Sequence, residues 1–188
     1  MFSESKPRRA DALRNEGKIV EAALSRFSRQ GVDASLDGIA RAAGVGPGTL
    51  YRHFPTRNTL IASALEQCRL ELHSVLESLL ESDDALSALR EWLGVVRDYV
   101  RTFRGLAALL LEAVSSPDSA LHRTCTEMQD ITAQLIQRAQ QAGVVRPNID
   151  ARDLFVAQLA LACVEDSVAD SRTLECLLRD GYAAPGSG

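Results

Sequence analysis

The chain has 188 residues, of which 46% are apolar and 24% charged, and this globular balance excludes disorder throughout. Its net charge of −4 excludes a uniformly basic nucleic-acid binder. The charge is uneven, however. Residues 1–57 hold ten Lys or Arg against six Asp or Glu, whereas residues 58–188 carry a net −8. This pattern favours a small anion-binding module attached to an acidic body.

No apolar run approaches the roughly 18 residues that a membrane span needs, and the polar N-terminus has no apolar core of a secretory signal. We therefore expect a cytoplasmic protein.

Helical periodicity dominates the chain, and no alternating strand pattern is found, so the sequence predicts an all-α protein of about nine helices. Residues 1–12 are expected to form a flexible basic arm, and residues 181–188 a frayed tail. The predicted helices cover, in chain order, residues 14–30, 36–43, 46–54, 57–81, 84–103, 106–114, 119–142, 151–165 and 171–179.

Several helix ends are marked by single residues. Ser35 and Thr56 stand where N-caps are expected, since their hydroxyl groups accept hydrogen bonds from free N–H groups of the first turn. Gly31 and Gly44 follow predicted helices and are suited to the sharp turn after a helix. Pro55 ends another, because the residue before a proline avoids helical angles.

Residues 35–54 combine a short helix, a glycine-bearing turn and a second short helix, which is the geometry of a helix-turn-helix. The second helix is expected to bury Leu50 and Phe54. Small residues, Gly46 and Gly48, leave its start free of bulk. Its outward side chains suit contacts with phosphates and base edges: Pro47, Thr49, Tyr51, Arg52 and His53.

The string DASLDGIARAAGVGPGTLYRHFPTRNTL resembles the DNA-binding domain of the tetracycline-repressor (TetR) family of bacterial transcription regulators. The matching motifs are I-A-x-x-A-G-V at residues 39–45 and G-x-[LIF]-Y-x-[HY]-F at residues 48–54, followed by a basic residue at Arg57. The resemblance covers about residues 13–62. Gly46 departs from the pattern, because a Ser or Thr often donates to a phosphate there.

The resemblance implies a role for each matching residue. Phosphate contacts are implied for Ser35, Tyr51, His53 and Arg57. Contacts with base edges or thymine methyl groups are implied for Pro47 and Thr49. Base or phosphate contacts are implied for Arg41 and Arg52. The alternatives are that Tyr51 only packs against the first helix, and that His53, Arg41 and Arg52 are solvated surface residues. The implied domains are a helix-turn-helix domain over residues 13–57 and a ligand-sensing and dimerisation domain over residues 58–188.

The body shows no catalytic motif, so we expect no enzyme activity, no metal and no cofactor. His122 and Cys125 share a helix face but lack an evident third metal ligand. The four cysteines are interpreted as buried, reduced thiols, with a redox switch as the alternative.

The segment at residues 154–164 is apolar nearly all round and needs cover on several sides. The resemblance implies a dimer through an antiparallel four-helix interface, and the alternative is an ordinary central core helix. The predicted interface residues are Leu154, Gln158, Leu159, Ala162, Leu174, Leu177 and Leu178.

Large apolar side chains on inward faces of several helices are candidates for a pocket that takes a small, mostly apolar ligand. Plain core packing is the alternative for each of them. The candidate pocket residues are Leu72, Leu76, Trp92, Tyr99, Phe103, Met128 and Phe155.

The function predicted from the sequence is that of a homodimeric repressor that binds a near-palindromic DNA operator and is released by a ligand. An activator, or a regulator that answers to a protein partner, is the alternative within transcription. An all-helical ligand-binding or interaction module without a DNA role is the alternative from another class, and salt-dependent duplex binding separates it from the first.

Overall fold

The computed structural model describes residues 5–165 and 172–184, with side chains for residues 11–66, 75–165 and 172–184. Within those ranges the chain forms nine helices and one isolated β-bridge, which confirms the all-α prediction. The helices are α1 (Ser5–Gln30), α2 (Leu36–Ala42), α3 (Pro47–His53), α4 (Arg57–Glu81), α5 (Ala85–Val100), α6 (Leu106–Val114), α7 (His122–Gln141), α8 (Ala151–Glu165) and α9 (Arg172–Tyr182). Among these described helices, none has the length and apolar character to cross a bilayer.

Local chemistry sets most of the helix ends. The side chains of Ser35, Thr56 and Asp84 each accept a hydrogen bond from the backbone N–H three residues on, at 3.2, 3.1 and 2.9 Å. Gly31 and Gly44 adopt the left-handed conformation after α1 and α2, with φ of +82° and +70°. The predicted caps at Ser35 and Thr56 and the two glycine turns are therefore confirmed.

The structure differs from the sequence prediction at several helix ends, among them that of α5, which ends at Val100 rather than at residue 103. Residues 5–12, which were expected to be a flexible arm, belong to α1, where Pro7 falls in the first turn and its missing N–H costs no intrahelical hydrogen bond. Helix α7 begins at His122 rather than near residue 119, because the Ser119 hydroxyl accepts from the Leu121 N–H and holds a turn. Residues 181–184 are not frayed: the Ala184 N–H donates to the Val144 carbonyl at 3.0 Å.

Helix α8 lies at the centre of the body, where it packs against α5, α6 and α7, while α9 lies on its outer side. Four residues predicted to form the dimer interface are consequently buried inside one chain: Leu154, Gln158, Leu159 and Ala162, at most 8% exposed. Since α5, α6 and α7 supply the cover that this apolar helix needs, the structure favours the alternative of a central core helix for these four residues. Of the predicted set, Leu174 and Leu177 on α9 are exposed and Leu178 is half-buried.

Candidate nucleic-acid interface

Helices α2 and α3 are locked together by a short turn and a shared core. The Val45 N–H donates to the Ala40 carbonyl at 3.0 Å, and Gly44 supplies the left-handed residue of the turn. Ile39 of α2 and Leu50 of α3 are almost fully buried beneath it. One face of α3 is therefore fixed inward, and the opposite face is presented to solvent.

The outward face of α3 is polar and free of bulk. Tyr51 is 47% exposed, and Pro47 and Gly48 are exposed beside it. A Cβ atom added to Gly46 or Gly48 would meet nothing within 4 Å. The packing of this protein therefore does not require glycine at either position, and both leave room for another molecule to approach the backbone closely.

Arg52 lies along the exposed surface of α3. Its Nε donates to the Gly48 carbonyl at 3.1 Å and its Nη2 to the Thr49 hydroxyl at 3.0 Å. Arg52 and Thr49 therefore form one polar unit next to Tyr51. Such a unit offers both guanidinium donors and a hydroxyl to a groove.

The remaining predicted residues lie at the edges of this face. Ser35 and Arg41 are exposed on α2, and the Ser35 oxygen caps that helix. His53 is half-buried instead, with its Nδ1 4.0 Å from a carboxylate oxygen of Glu16 on α1. Thus His53 lies against another helix, whereas Arg41 faces solvent.

Arg57 has partners inside the protein. Its Nη1 donates to the carbonyl oxygens of Val32 and Ala34, each at 2.6 Å, and the residue is half-buried. These bonds connect the first residue of α4 to the loop between α1 and α2. The geometry supports a positioning role for Arg57 in place of the phosphate contact that the sequence resemblance implied.

A second contact with the same loop was not foreseen from the sequence. The Val32 N–H donates to the Arg104 carbonyl, and Arg104 Nη2 donates to the Gln30 carbonyl, each at 3.0 Å. Phe27 packs beside Phe103 with ring centroids 5.6 Å apart. The loop between α5 and α6 therefore connects the body to the helix-turn-helix. Only its glycine, Gly105, was a visible signal in the sequence.

The candidate pocket residues form part of the core. Trp92, Phe103, Met128 and Phe155 are at most 1% exposed, Tyr99 is buried and Leu76 half-buried, while the Leu72 side chain lies outside the described residues. The indole Nε1 of Trp92 donates to the Thr132 hydroxyl at 2.9 Å. Two clefts of the body are lined by other residues: one of about 280 Å³ between α8 and α9, and one of about 230 Å³ between α5, α8 and α9.

The predicted pair of reactive side chains on α7 has partners of its own. His122 Nδ1 lies 2.9 Å from the Ala113 carbonyl, and the Cys125 thiol donates to the Leu110 carbonyl at 3.4 Å. Burial raises the pKa of Cys125 to about 12, so its thiol stays protonated near neutral pH. In the part of the chain that the structure describes, no group of three or more metal-binding side chains occurs.

An exposed recognition helix on a helix-turn-helix, joined to an all-helical body, defines the class of helix-turn-helix transcription regulators. Residues 19–64 match the family model described as bacterial regulatory proteins, tetR family. Residues 84–180 match the SbtR-like transcriptional regulator, C-terminal domain. The chain belongs to the TetR family of DNA-binding transcriptional regulators.

Individual relatives agree with that assignment. The TetR transcriptional regulator SCO0520 of Streptomyces coelicolor is 34% identical, with 91% of this chain and 99% of that chain covered and a TM-score of 0.57. The regulatory protein RaaS of Mycobacterium tuberculosis is 28% identical over 77% of this chain, which matches 66% of the length of RaaS. Thermus thermophilus FadR, solved with lauroyl-CoA, shares the fold at 21% identity, with 92% and 99% of the two chains covered and a TM-score of 0.59.

Proposed function

We propose that this protein is a homodimeric repressor that binds a near-palindromic DNA operator through α3 and releases it when a small ligand binds the body. The observation that carries the proposal is the outward face of α3, where Tyr51 and the Arg52–Thr49 unit lie beside two glycines that the protein's own packing does not require. Such a face matches a major groove better than it matches an apolar partner.

Contacts on the DNA divide into two kinds. Tyr51, Ser35 and Arg41 are exposed around the edge of α3 and are proposed to bind phosphates, which fix the position of the protein on the duplex. Pro47 and Thr49 lie on the helix itself and are proposed to contact base edges, with Arg52 beside them. Substitution of the first group is expected to weaken binding to all duplexes, and substitution of the second to relax base preference.

The dimer interface is proposed to lie on α9 and the outer face of α8. Leu174 and Leu177 are 46% and 64% exposed on α9, whereas Glu175 of the same helix pairs with Arg97 of α5. The outer face of α8 exposes Ala160 and Val164. The small side chain of Ala160 allows another helix to approach closely, and Val164 and the leucines would supply the apolar area that a second copy covers.

We propose that the conformational change caused by the ligand reaches the helix-turn-helix through two connections with the body. Helix α4 has 25 residues, a length of about 37 Å, and Arg57 at its start holds the loop between α1 and α2. The Arg104 loop holds the same segment from the other side. A shift of α4 or α5 in the body therefore moves the α1–α2 loop, and with it the position of α3. Thermus FadR was solved with lauroyl-CoA, which supports a ligand-responsive body in this fold.

Selection of duplex fragments from the source genome by the purified protein tests the proposal. We expect recovery of a short sequence with two-fold symmetry, with half-site centres about one helical turn or a multiple apart, and binding that weakens steeply with salt. Recovery of no preferred sequence, with no salt-dependent binding to any duplex, would favour the alternative of a module without a DNA role.

A further inference from the structure

The cleft of about 230 Å³ between α5, α8 and α9 differs from the predicted apolar pocket in its chemistry. Three arginines line it, Arg90 and Arg97 from α5 and Arg179 from α9, together with one carboxylate, Glu175. Arg97 and Glu175 form an ion pair across α5 and α9, and Arg179 pairs with Asp180 at 3.3 Å. Among the described residues, Arg90 is therefore the one arginine of the lining without an ion pair to a carboxylate.

Two of these arginines hold buried donors without an acceptor. In the described part of the structure, the Nε atoms of Arg90 and Arg97 are buried and make no hydrogen bond. A buried donor that lacks a partner costs free energy comparable to its lost hydration, more so when the group is charged. Both atoms are closed to solvent, so an acceptor that enters the cleft removes that cost only if the two guanidinium groups turn toward it.

A neutral polar side chain also lines the same cleft. Gln158 of α8 is 8% exposed, lines the cleft, and is among the two buried polar residues of the described chain. Thr132, the other one, accepts from Trp92 and donates to the Met128 carbonyl. Across the described residues, the Gln158 amide has no comparable hydrogen bond. Because Gln158 borders the cleft, its amide is available to a molecule that enters there.

We propose that this cleft binds a small organic monocarboxylate, whose carboxylate accepts hydrogen bonds from the arginine donors and from the Gln158 amide N–H while its remainder contacts Leu93. A monoanion fits better than a phosphate dianion, since Glu175 lies in the same cleft and repels each added negative charge. The volume is below the range of about 300–1,000 Å³ typical of drug-sized ligands, which favours a compact acid. That the acid acts as the effector rests on the function proposed above, whereas its binding does not.

The test is a titration of the full chain, without DNA, with benzoate and hexanoate as probes, and with benzamide and inorganic phosphate as comparisons. We expect saturable binding of at least one carboxylate, and a Tm that rises with its concentration. Neither benzamide nor phosphate should reproduce this. Failure of both carboxylates to bind, or equal binding of benzamide or phosphate, overturns the proposal.

Variants locate the bound acid. Arg90→Gln and Gln158→Leu should each weaken carboxylate binding about tenfold or more, as expected for loss of a hydrogen bond to a charged group. Arg123→Gln, on the exposed surface of α7, is the matched control and should bind as the wild type does. Gln158→Leu also guards against misfolding, because leucine is close to glutamine in size and apolar, so the Tm of the free protein should stay near that of the wild type. Undiminished binding by both cleft variants would place the site elsewhere and overturn the proposal.

Because no DNA is present, these results are independent of operator release. A protein that binds the acid and never releases DNA would contradict the proposed function alone. A protein that releases DNA without binding either acid would contradict this inference alone.

Discussion

Two carbonyl oxygens of the α1–α2 loop, those of Val32 and Ala34, accept from one guanidinium, that of Arg57. Arg57→Ala leaves both without this donor, so we expect the free energy of unfolding to fall by about 1–3 kcal/mol. Operator affinity should also fall, because the α1–α2 loop no longer holds α2 and α3 firmly in place. The salt dependence of operator binding should be unchanged, since no phosphate contact is lost. Urea unfolding and binding at several salt concentrations measure both. Arg29→Ala, exposed on α1, is the control. An unchanged stability with a salt slope flattened by about one unit would restore the phosphate assignment.

Gly44 and Gly48 are close in sequence and are expected to respond oppositely to alanine. Gly44 has φ of +70°, so Gly44→Ala should cost about 1–2 kcal/mol of stability. Gly48 lies in α3 with open space around a would-be Cβ, so Gly48→Ala should add about 0.5–1 kcal/mol of stability while it weakens operator binding. Thermal unfolding and duplex titration of the two variants check this. Undiminished operator affinity in Gly48→Ala would show that α3 does not approach DNA closely at that position.

Cys125 and Cys176 differ in exposure and therefore in expected reactivity. Cys125 is buried with its pKa raised to about 12, whereas Cys176 is exposed on α9. At pH 8 a thiol-specific disulfide reagent should label Cys176 rapidly and Cys125 only on unfolding, since the thiolate is the reactive form. Labelling of wild type and Cys176→Ser, with mass analysis of the labelled peptides, checks this. Rapid labelling of Cys125 in the folded protein would revive the redox alternative.

The raised pKa of Cys125 also implies that the contribution of this thiol to stability is complete below about pH 9 and is lost as the pH rises toward 12.

Between elements, the loop from α1 to α2 packs against the loop from α5 to α6 through two glycines. A Cβ atom at Gly31 would lie 2.7 Å from the Arg104 carbonyl oxygen, and one at Gly105 would lie 2.9 Å from Val32 Cγ2. Both residues also have φ above +80°. Glycine, the residue type with the greatest backbone freedom, therefore occupies both positions where the two loops meet.

Alanine at Gly31 should consequently loosen this junction. We expect Gly31→Ala to lower the free energy of unfolding by more than the 1–2 kcal/mol of left-handed strain alone, because the contact with Arg104 adds to it. Gly17→Ala is the matched control: Gly17 lies in α1 with open space, so alanine there should stabilise by about 0.5–1 kcal/mol. Denaturant unfolding of both variants measures the two changes in the free energy of unfolding. Equal stabilisation by the two substitutions would mean that the loops do not meet as described.

How far the sequence predicts these elements depends on the range of the interactions. The bounds of α4, α6 and α8 follow from caps, glycines and prolines that act within one turn, and the prediction matched them. The cover of Leu159 could not be predicted in this way, because an apolar helix looks the same whether its own chain or a second copy covers it. The partners of Arg57 lie more than twenty residues away, and the arginine cleft joins three helices. Neither leaves a periodic signal.

At the scale of the whole molecule, the proposed dimer interface can be tested at the exposed leucines of α9, because substitutions there should leave the fold of the protomer intact. Leu177 is 64% exposed, so Leu177→Arg should keep the helical fold and yield monomers. Operator affinity should then drop steeply, because the second half-site binds as a separate event. Leu159→Arg is the contrasting variant: Leu159 is fully buried, so a charge there should unfold the protomer. Sedimentation and circular dichroism distinguish the two outcomes. An intact dimer in Leu177→Arg would move the interface off this face.

Switching is the property that only the complete molecule has. Helix α5 carries Arg90, Arg97 and Trp92. The loop that follows α5 contacts the α1–α2 loop through Arg104. An acid that binds the arginines of α5 therefore acts on the helix nearest this junction. With typical coupling of about 1–3 kcal/mol, operator affinity should fall roughly 5- to 150-fold when the acid is bound. Thermodynamic linkage then requires operator DNA to weaken binding of the acid by the same factor. Titration of the carboxylate that binds, with and without an operator duplex, measures this, and a scrambled duplex is the control. The emission of Trp92, which is fully buried and bonded to Thr132, provides an independent reading of movement in α5. Equal carboxylate affinity in the presence of operator and of scrambled DNA would refute this switch, because a ligand indifferent to two states cannot shift the balance between them.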